Sequence, residues 1–482
     1  MSSLRVALSK YLFQSKLKLK LSKAASYVSH VHRNKCCYYS TNNFTQNSNY
    51  QHDQGSPPLG SSSTSANNQT AGWYSSFSMD LENPNLNDPT GFGDLAMAFS
   101  LLHGVSREQS ISKGLEFLHK ACSKGNLSAQ TTLAELYLND YGFGITTDVE
   151  KSRQLMLKIV NENQEKYQLA EHRQLDDQNY LAFVSCIYNI GAIYLTREKD
   201  FVKAMQWFLK AADHHHALAE SNLGGMYYNG FGVEKDDEKA LAWYQRAASR
   251  GYPSAQYYVG TMILKKITSS QPHRTMTMSQ KVDALVKEAI QNLENAAMQG
   301  LEEAQFYLAD LYLKGKFVKQ DVKRAVAMYT QLAEAGHPSS QANLGAMYMH
   351  GVENVLPKDR EVGAQWLMKA GSSGDSHSQH NLGVYYYECK EYEKAMEWYM
   401  KAANQGFFHA ERCVGLLYLK GEGTTQDFKK AMEFLSKAAL KGDPFSMKTI
   451  SKMFRDGLGV PKDEKKADQW MQTAMKFEKN QQ

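Results

Sequence analysis

The stretch that decides the fold is Ala217–Gly251, ALAESNLGGMYYNGFGVEKDDEKALAWYQRAASRG. It reads as two short amphipathic helices joined by a glycine-bearing turn. Its apolar residues recur at the three- and four-residue spacing of a helical face, not at the alternate positions of a strand. The same unit returns, with drift, from about residue 92 to the end, so the period is the first thing to establish. Five of the six tryptophans, Trp207, Trp243, Trp366, Trp398 and Trp470, share one position in it. Each has a small residue three places before (Ala204, Ala240, Gly363, Ala395, Ala467) and an alanine four places after (Ala211, Ala247, Ala370, Ala402, Ala474). Phe434 fills the same slot between Ala431 and Ala438, and successive slots lie 36 residues apart from Trp207 to Trp243 and from Trp398 through Phe434 to Trp470. Such offsets place the three side chains on one helical stripe. The small residues admit a neighbouring helix, and the ring is expected to fill the gap beside them.

The first helix of the unit carries its own signature, an aliphatic residue followed by Gly or Ala, with Tyr or Ile three places later. It appears as Leu133-Ala134-Tyr137, Ile190-Gly191-Tyr194, Leu223-Gly224-Tyr227, Val259-Gly260-Ile263, Leu308-Ala309-Tyr312, Leu344-Gly345-Tyr348, Leu382-Gly383-Tyr386 and Val414-Gly415-Tyr418. Glycine within a helix costs about 1 kcal/mol relative to alanine, so its return at one position demands a packing reason. In these residues the chain resembles the Sel-one-like repeat family, relatives of the tetratricopeptide repeat. The resemblance covers residues 91–482. It implies an all-α, right-handed α/α superhelical solenoid of about ten helix-turn-helix repeats, with second helices ending near residues 124, 161, 213, 250, 299, 335, 373, 405, 441 and 478.

Charge separates the chain into parts. Residues 1–52 hold eight Lys/Arg and no Asp/Glu; the remainder has 47 basic against 50 acidic residues, a net of −3. The repeat body therefore lacks the basic balance of a nucleic-acid binder. Residues 1–40 interleave Arg5, Lys10, Lys16, Lys18, Lys20, Lys23, Arg33 and Lys35 with Leu and Val. A basic, Ser-containing, acid-free start is the pattern of a mitochondrial transit peptide, and lysines interrupt any apolar core that a secretory signal would need. The expected location is mitochondrial, in the matrix. A basic cytosolic tail or an interfacial anchoring helix shares this composition. Residues 41–90, rich in Asn, Ser, Thr, Gln and Gly, read as a linker that cannot bury enough apolar surface to order itself, with Trp73, Tyr74 and Phe77 as an aromatic exception.

Two places break the period. Residues 162–179 are strongly polar and read as a long connection. Residues 265–282 lengthen the hairpin of the fifth unit, where Asn292 stands at the tryptophan position and predicts weaker packing. Gln178–Thr196 carries charge only after its end, yet falls in repeat register, so a buried repeat helix is expected there rather than a membrane span. The six cysteines follow no repeat spacing and read as buried reduced thiols. The terminal KNQQ carries no lipidation signal, an expectation that sets the chain apart from the prenylated chitin-synthase-activating relatives of fungi.

No catalytic constellation emerges. Gly142-x-Gly144, Gly230-x-Gly232, Gly421-x-Gly423 and Gly457-x-Gly459 lie between helices, not after a strand, and do not continue as a dinucleotide fingerprint. They are expected to end helices with left-handed residues. His214-His215-His216 reads as an exposed loop, because adjacent side chains do not converge on a metal by themselves. Ser110-Ile111-Ser112-Lys113 matches SxxK without its companion motifs. No cofactor is implied.

What remains is surface. In the related tetratricopeptide geometry, positions two before and five after the repeat Leu face a concave groove. Carried over, these are Tyr188, Ser221, Tyr228, Tyr257, Phe306, Met349, His380, Tyr387 and Arg412, with Asp310 two places after its Leu. Aromatic residues and Arg dominate binding hot spots. The resemblance thus implies a non-enzymatic adaptor or scaffold for other proteins. A substrate adaptor of endoplasmic-reticulum degradation is an alternative that would need a secretory signal. An enzymatic or small-molecule-binding member would need a convergent polar pocket. Several of these rings could instead pack between helices.

Overall fold

The structure is a computed structural model. It describes residues 87–104, 109–141, 143–168, 178–269 and 276–480. The transit-peptide reading of 1–40, most of the 41–90 linker and the cluster of Trp73, Tyr74 and Phe77 lie outside the described residues. Asn87–Thr90, assigned to the linker from sequence, are instead fixed to the first helix pair. Asp88 accepts from Thr90 N (2.9 Å) and Phe92 N (3.1 Å), and Lys124 Nζ donates to Asp88 O at 2.7 Å.

The described residues fall into two compact units, each all-helical apart from turns and one isolated bridge between Val352 and Leu356. The first unit runs to Leu301. It holds α1 (Phe92–His103), α2 (Ile111–Ser123), α3 (Leu127–Leu138), α4 (Val149–Gln168), α5 (Gln178–Ile193), α6 (Phe201–Asp213), α7 (Ala217–Asn229), α8 (Asp237–Ser249), α9 (Pro253–Ser269) and α10 (Met276–Met298). The second begins at Glu302. It holds α11 (Glu302–Lys314), α12 (Val322–Glu334), α13 (Pro338–His350), α14 (Arg360–Ser372), α15 (Ser376–Glu388), α16 (Tyr392–Asn404), α17 (Phe408–Lys420), α18 (Phe428–Leu440), α19 (Pro444–Asp456) and α20 (Glu464–Asn480). Within each unit a helix packs mainly on the one before and the one after it in sequence. That one-dimensional pattern is the mark of a solenoid.

Local chemistry sets the ends. Most second helices start at an Asp whose carboxylate accepts from the first turn, as Asp236 does from Glu238 N (3.0 Å) and Lys239 N (2.9 Å), and Asp427 from Lys430 N (3.0 Å), while α2 and α16 start at Ser110 and Glu391 without such a bond. Such a cap satisfies orphan donors and contributes about 1 kcal/mol. First helices end in left-handed glycine at Gly230, Gly421 and Gly457. The second glycine of three of the four G-x-G turns, Gly232, Gly423 and Gly459, has a further role, whereas Gly144 faces open space. A β-carbon on Gly423 (φ 68°) would lie 2.3 Å from the Tyr392 carbonyl oxygen, and one on Gly459 (φ 70°) 2.8 Å from the Phe428 carbonyl. The turn of one repeat thus rests directly on the backbone that opens the second helix of the repeat before it.

The repeated small residue of the first helix receives a large side chain, a ring or a leucine, but not the tryptophan. A β-carbon on Gly191 would meet Phe208 at 2.9 Å, on Gly224 Tyr244 at 2.8 Å, on Gly383 Tyr399 at 2.4 Å, on Gly345 Leu367 at 2.8 Å and on Gly415 Leu435 at 2.7 Å. Each intruder is the residue immediately after the tryptophan slot, and each is buried. The tryptophan, one position earlier, points to the flank. Trp366 packs with Val326 and Ala333 of the preceding second helix, and Trp398 with Ala364 and Leu367. The five rings are all half-buried, and a cation three residues on covers four of them: Lys210 lies 4.3 Å from the Trp207 centroid, Arg246 4.4 Å from Trp243, Lys369 3.9 Å from Trp366 and Lys401 3.8 Å from Trp398. Inner lock and inter-repeat flank are therefore separate jobs on adjacent residues.

Three expectations are corrected. The stretch 162–179 is largely helical where described, because α4 continues to Gln168. Its Tyr167 is fully buried, 5.4 Å from the Tyr180 ring and 5.0 Å from Phe183. Where described, the 265–282 insertion extends helices: α9 runs to Ser269 and α10 begins at Met276. Among the four described cysteines, all free thiols, Cys186 is buried but Cys389 is exposed. In the same fifth pair Asn292 bonds its own helix through Glu288 O at 2.9 Å, while Leu293 beside it is fully buried and keeps the lock on Gly260.

Candidate protein-binding face

The position three before the repeat Leu explains how successive pairs join. Where it is Gln, the side chain donates to the end of the preceding second helix, as Gln341 to Ala333 O (3.1 Å) and Gln379 to Gly371 O (2.8 Å). Gln379 also accepts from Gln405 at 2.8 Å, and Gln256 from Gln299 at 2.9 Å. Where it is an acid, a cation replaces that glutamine. Glu220, fully buried, meets Arg246 at 3.0 Å and Arg250 at 3.1 Å; Glu411 meets Lys441 at 2.6 Å; Asp94 meets Lys120 at 3.0 Å and Lys124 at 2.6 Å. A carboxylate cannot donate to a carbonyl, so burial is met by charge.

The position two before the Leu, read from sequence as a groove contact, has a specific neighbour. In four repeats it packs on the N-terminal cap of the next first helix. Tyr188 stacks on His216 with centroids 4.7 Å apart, Phe306 lies 5.2 Å from His337, His380 lies 5.3 Å from Phe407, and Arg412 Nη1 donates to Asp443 Oδ1 at 2.8 Å. These caps serve their own helices: His216 Nδ1 accepts from Ala219 N at 3.3 Å, His337 Nδ1 from Ser340 N at 3.2 Å, and Asp443 from Ser446 N at 2.9 Å. The row is a seam between first helices, held from both sides.

The remaining expected residues sort by exposure. Ser221 and Tyr228 are buried, and Lys265 Nζ donates to Tyr228 Oη at 3.3 Å. Tyr257 is half-buried against Tyr258, centroids 5.3 Å apart. Asp310 pairs with Lys314 at 2.8 Å, and Met349 packs with Ala364 and Leu367. Tyr387 Oη donates to Glu422 at 2.9 Å and accepts from Lys420 at 3.0 Å. Tyr188, Tyr257, Phe306, Met349, His380, Tyr387 and Arg412 all keep part of their surface in water.

Sequence reasoning missed His377, Phe407, Phe408, His409 and Phe445, which the structure gathers with His380 and Arg412. The available signal was FFH at 407–409 falling about one period after HSQH at 377–380. The histidine triplet is also not one exposed loop. His215 is exposed with φ 61°, whereas His214 packs on Tyr180 (5.7 Å) and Phe183 (5.5 Å), and His216 stacks on Tyr188.

Burial dominates the titration of the enclosed groups. Burial pushes the Cys186 thiol up to about 12 and Cys122 up to about 11, holding both protonated. Burial raises Glu135 to about 7 against the opposing hydrogen bond from Asn189 (3.1 Å). Burial lowers His216 to about 4, and burial with His409, Arg412 and His377 lowers His380 to about 4. Among the described residues no group of three or more His, Cys, Asp or Glu could hold a metal ion, and no helix is long and apolar enough to cross a membrane.

The model of the Sel1 repeat matches residues 94–126, 127–163, 178–216, 217–252, 302–337, 338–375, 376–407, 410–443 and 450–475. The chain belongs to the Sel1 repeat family. The unmatched 253–301 is the fifth pair, with the insertion and Asn292. As a Sel1 repeat chain it carries the scaffold of a protein-binding family. Its fold is similar to that of c5321, a protective antigen of uropathogenic Escherichia coli displaying an SLR fold, with TM-score 0.53 and 24% identity over 83% of this chain and 91% of that one. A Sel1 repeat protein from Oxalobacter formigenes shows 23% identity over 78% of this chain and 96% of that one, TM-score 0.48. In sequence, 101 residues are 33% identical to chitin synthase regulator SKT5 of Saccharomyces cerevisiae, covering 21% of this chain and 14% of that protein. A 103-residue stretch is 27% identical to chitin synthase regulatory factor 3 of Schizosaccharomyces pombe, covering 21% and 11%. The chain thus spans about a seventh or less of these two relatives.

Proposed function

We propose that this Sel1 repeat chain is a non-enzymatic adaptor that holds segments of other proteins along the seam of its first helices, and that it works in mitochondria, in the matrix. The observation that carries the reading is the seam itself. An aromatic or basic side chain stands there in five repeats, at Tyr188, Tyr257, Phe306, His380 and Arg412, each partly exposed, and four of the five rest on a cap of the next repeat. Pre-fixed rotamers bind with less ordering cost, and rings with Arg are the residue types of interface hot spots. The local likeness to two chitin synthase regulators supports the adaptor class, since both are named for acting on another protein. The basic, acid-free residues 1–52 support mitochondrial import.

Proximity labelling from a C-terminal fusion, followed by cross-linking of captured partners, tests the adaptor. Cross-links to first-helix residues such as Tyr257, Phe306 or Tyr387 are expected; labelling without any partner at those faces contradicts it. Imaging the full chain against one lacking residues 1–40 tests the address, with loss of mitochondrial signal expected on deletion.

A further inference from the structure

The first helices of the last three pairs open with SHSQH at 376–380, FFHAER at 407–412 and DPFSMK at 443–448. The structure lays these starts along one strip. The His377 ring lies 4.6 Å from Phe407, His380 lies 6.0 Å from His409, and Phe408 lies 3.9 Å from His409. Arg412 sits over Phe445 at 5.6 Å. Phe445 is 53% exposed and His377 is exposed, so the strip presents rings and bases to solvent.

The carboxylates beside the strip are already partnered, Glu411 by Lys441 at 2.6 Å and the other two as helix caps. Asp375 Oδ2 accepts from Ser378 N at 2.6 Å, and Asp443 Oδ2 accepts from Ser446 N at 2.9 Å and Ser446 Oγ at 2.5 Å. Asp443 also takes one nitrogen of Arg412, whose guanidinium carries five donors. Like charge is felt within the strip. His409 and Arg412 depress the imidazole of His380, and Arg412 depresses His409, in each case after burial. Tyr399 and Cys413 face the same cluster from α16 and α17 and carry no charge at neutral pH. The strip is therefore an aromatic surface that carries three imidazoles and the guanidinium of Arg412, with its own acids engaged as caps and in the Arg412 pair.

We propose that this strip docks an acidic segment of another protein that also carries an aromatic side chain. Carboxylates of the segment meet Arg412 and the imidazoles of His377 and His409, while its ring covers Phe445 and Phe407. The inference rests on the adaptor reading and narrows it to a partner chemistry. The chain's own residues 1–52 have the wrong sign for the site, with eight bases and no acid. A long polyanion fits poorly, because Glu388 and Glu422 stand at the far ends of the same helices, α15 and α17.

The test is fluorescence anisotropy of the full chain with a labelled peptide Glu-Glu-Phe-Glu-Glu-Phe. Its Gln-for-Glu counterpart and a short oligothymidylate serve as comparisons. The acidic peptide is expected to bind, and several-fold more tightly at about pH 6 than at about pH 8, because bound carboxylates favour protonated imidazoles. The triple variant H377Q/H409Q/R412Q is expected to lose about tenfold or more in affinity while keeping its helical circular dichroism. Phe445→Ser, at an exposed position, is expected to weaken binding without changing the pH profile. Equal binding of the Gln peptide, stronger binding of the oligonucleotide, a flat pH response or an unaffected triple variant would overturn the proposal. If the peptide fails while captured partners cross-link to other first helices, this inference falls and the adaptor reading stands. If partners cross-link to none of them, the adaptor reading falls.

Discussion

The lock inside each helix pair and the seam between first helices obey opposite rules. In the lock, a small residue faces a buried side chain in repeat after repeat: Gly191 with Phe208, Gly224 with Tyr244, Gly383 with Tyr399. In the seam, the paired positions change each time: Tyr188 with His216, Phe306 with His337, His380 with Phe407, Arg412 with Asp443. A contact that repeats unchanged builds the array. A contact that varies gives each repeat its own surface. Fold belongs to the first, and the proposed recognition draws on the second.

The largest effects should fall on the backbone-to-backbone part of the constant set. Gly423→Ala places a β-carbon against the Tyr392 carbonyl at a left-handed φ, where nothing flexible can yield. Destabilisation of about 3 kcal/mol or more is expected from strain plus overpacking. Gly251→Ala, with similar φ of 82° but open space around it, should cost only about 1 kcal/mol. Urea unfolding of both variants measures the gap. Equal losses would mean that the turn does not rest on the preceding repeat.

Next comes the distinction between lock and flank. Tyr399→Ala removes a buried ring and should cost about 3–5 kcal/mol. Trp398→Ala, at a half-exposed ring, should cost about half that or less, although Trp is the larger residue. The reverse order would restore the tryptophan as the core residue.

The buried charge at the joint gives a smaller effect with an internal control. Lys441→Gln leaves Glu411 buried beside a neutral group and should cost about 1–3 kcal/mol, reduced by the partial exposure of Lys441. Adding Glu411→Gln reproduces the Gln379–Gln405 arrangement of an earlier repeat and should recover most of the loss. A double variant no better than the single one would show that the two solutions are not interchangeable.

The seam predicts a pH effect. His216 and His380 are held at about 4 by burial, below the ordinary imidazole value of about 6.5. The unfolded chain therefore binds more protons between these values. Stability is complete above about pH 6.5 and is lost as pH falls toward 4. His216→Asn keeps an acceptor for Ala219 N without a titrating ring, and should flatten part of that decline in thermal melts taken across the range. An unchanged slope would remove His216 from the account.

The lock was legible in the sequence because it is periodic. Glycines inside helices and rings at a 36-residue spacing have few explanations besides close helix packing. Even so, the ring at the lock was assigned one position too early. Trp207 and Phe208 are neighbours of similar size, and only the direction of each side chain tells which faces Gly191. The helical run to Gln168 was missed because Tyr167 is its lone buried ring in a polar stretch. The seam was legible only in part. Tyr188, Phe306, His380 and Arg412 lie on it, but their partners sit 27 to 31 residues away and differ in type each time. Ser221 and Tyr228 turned out to be buried, since the position rule carries no information about neighbouring bulk. In the strip, His377, His409 and Phe445 share one repeat position, two after each helix cap, but the residue type changes and Phe407 and Phe408 add to it, so it shows only once three helix starts are laid side by side.

The most direct test of the division between lock and seam is hydrogen–deuterium exchange of the full chain, alone and with a captured partner. New protection is expected at the starts of first helices, centred on 376–380, 408–412 and 444–448, with second helices unchanged. Protection confined to the second helices, around Trp366, Trp398 and Phe434, would contradict the account.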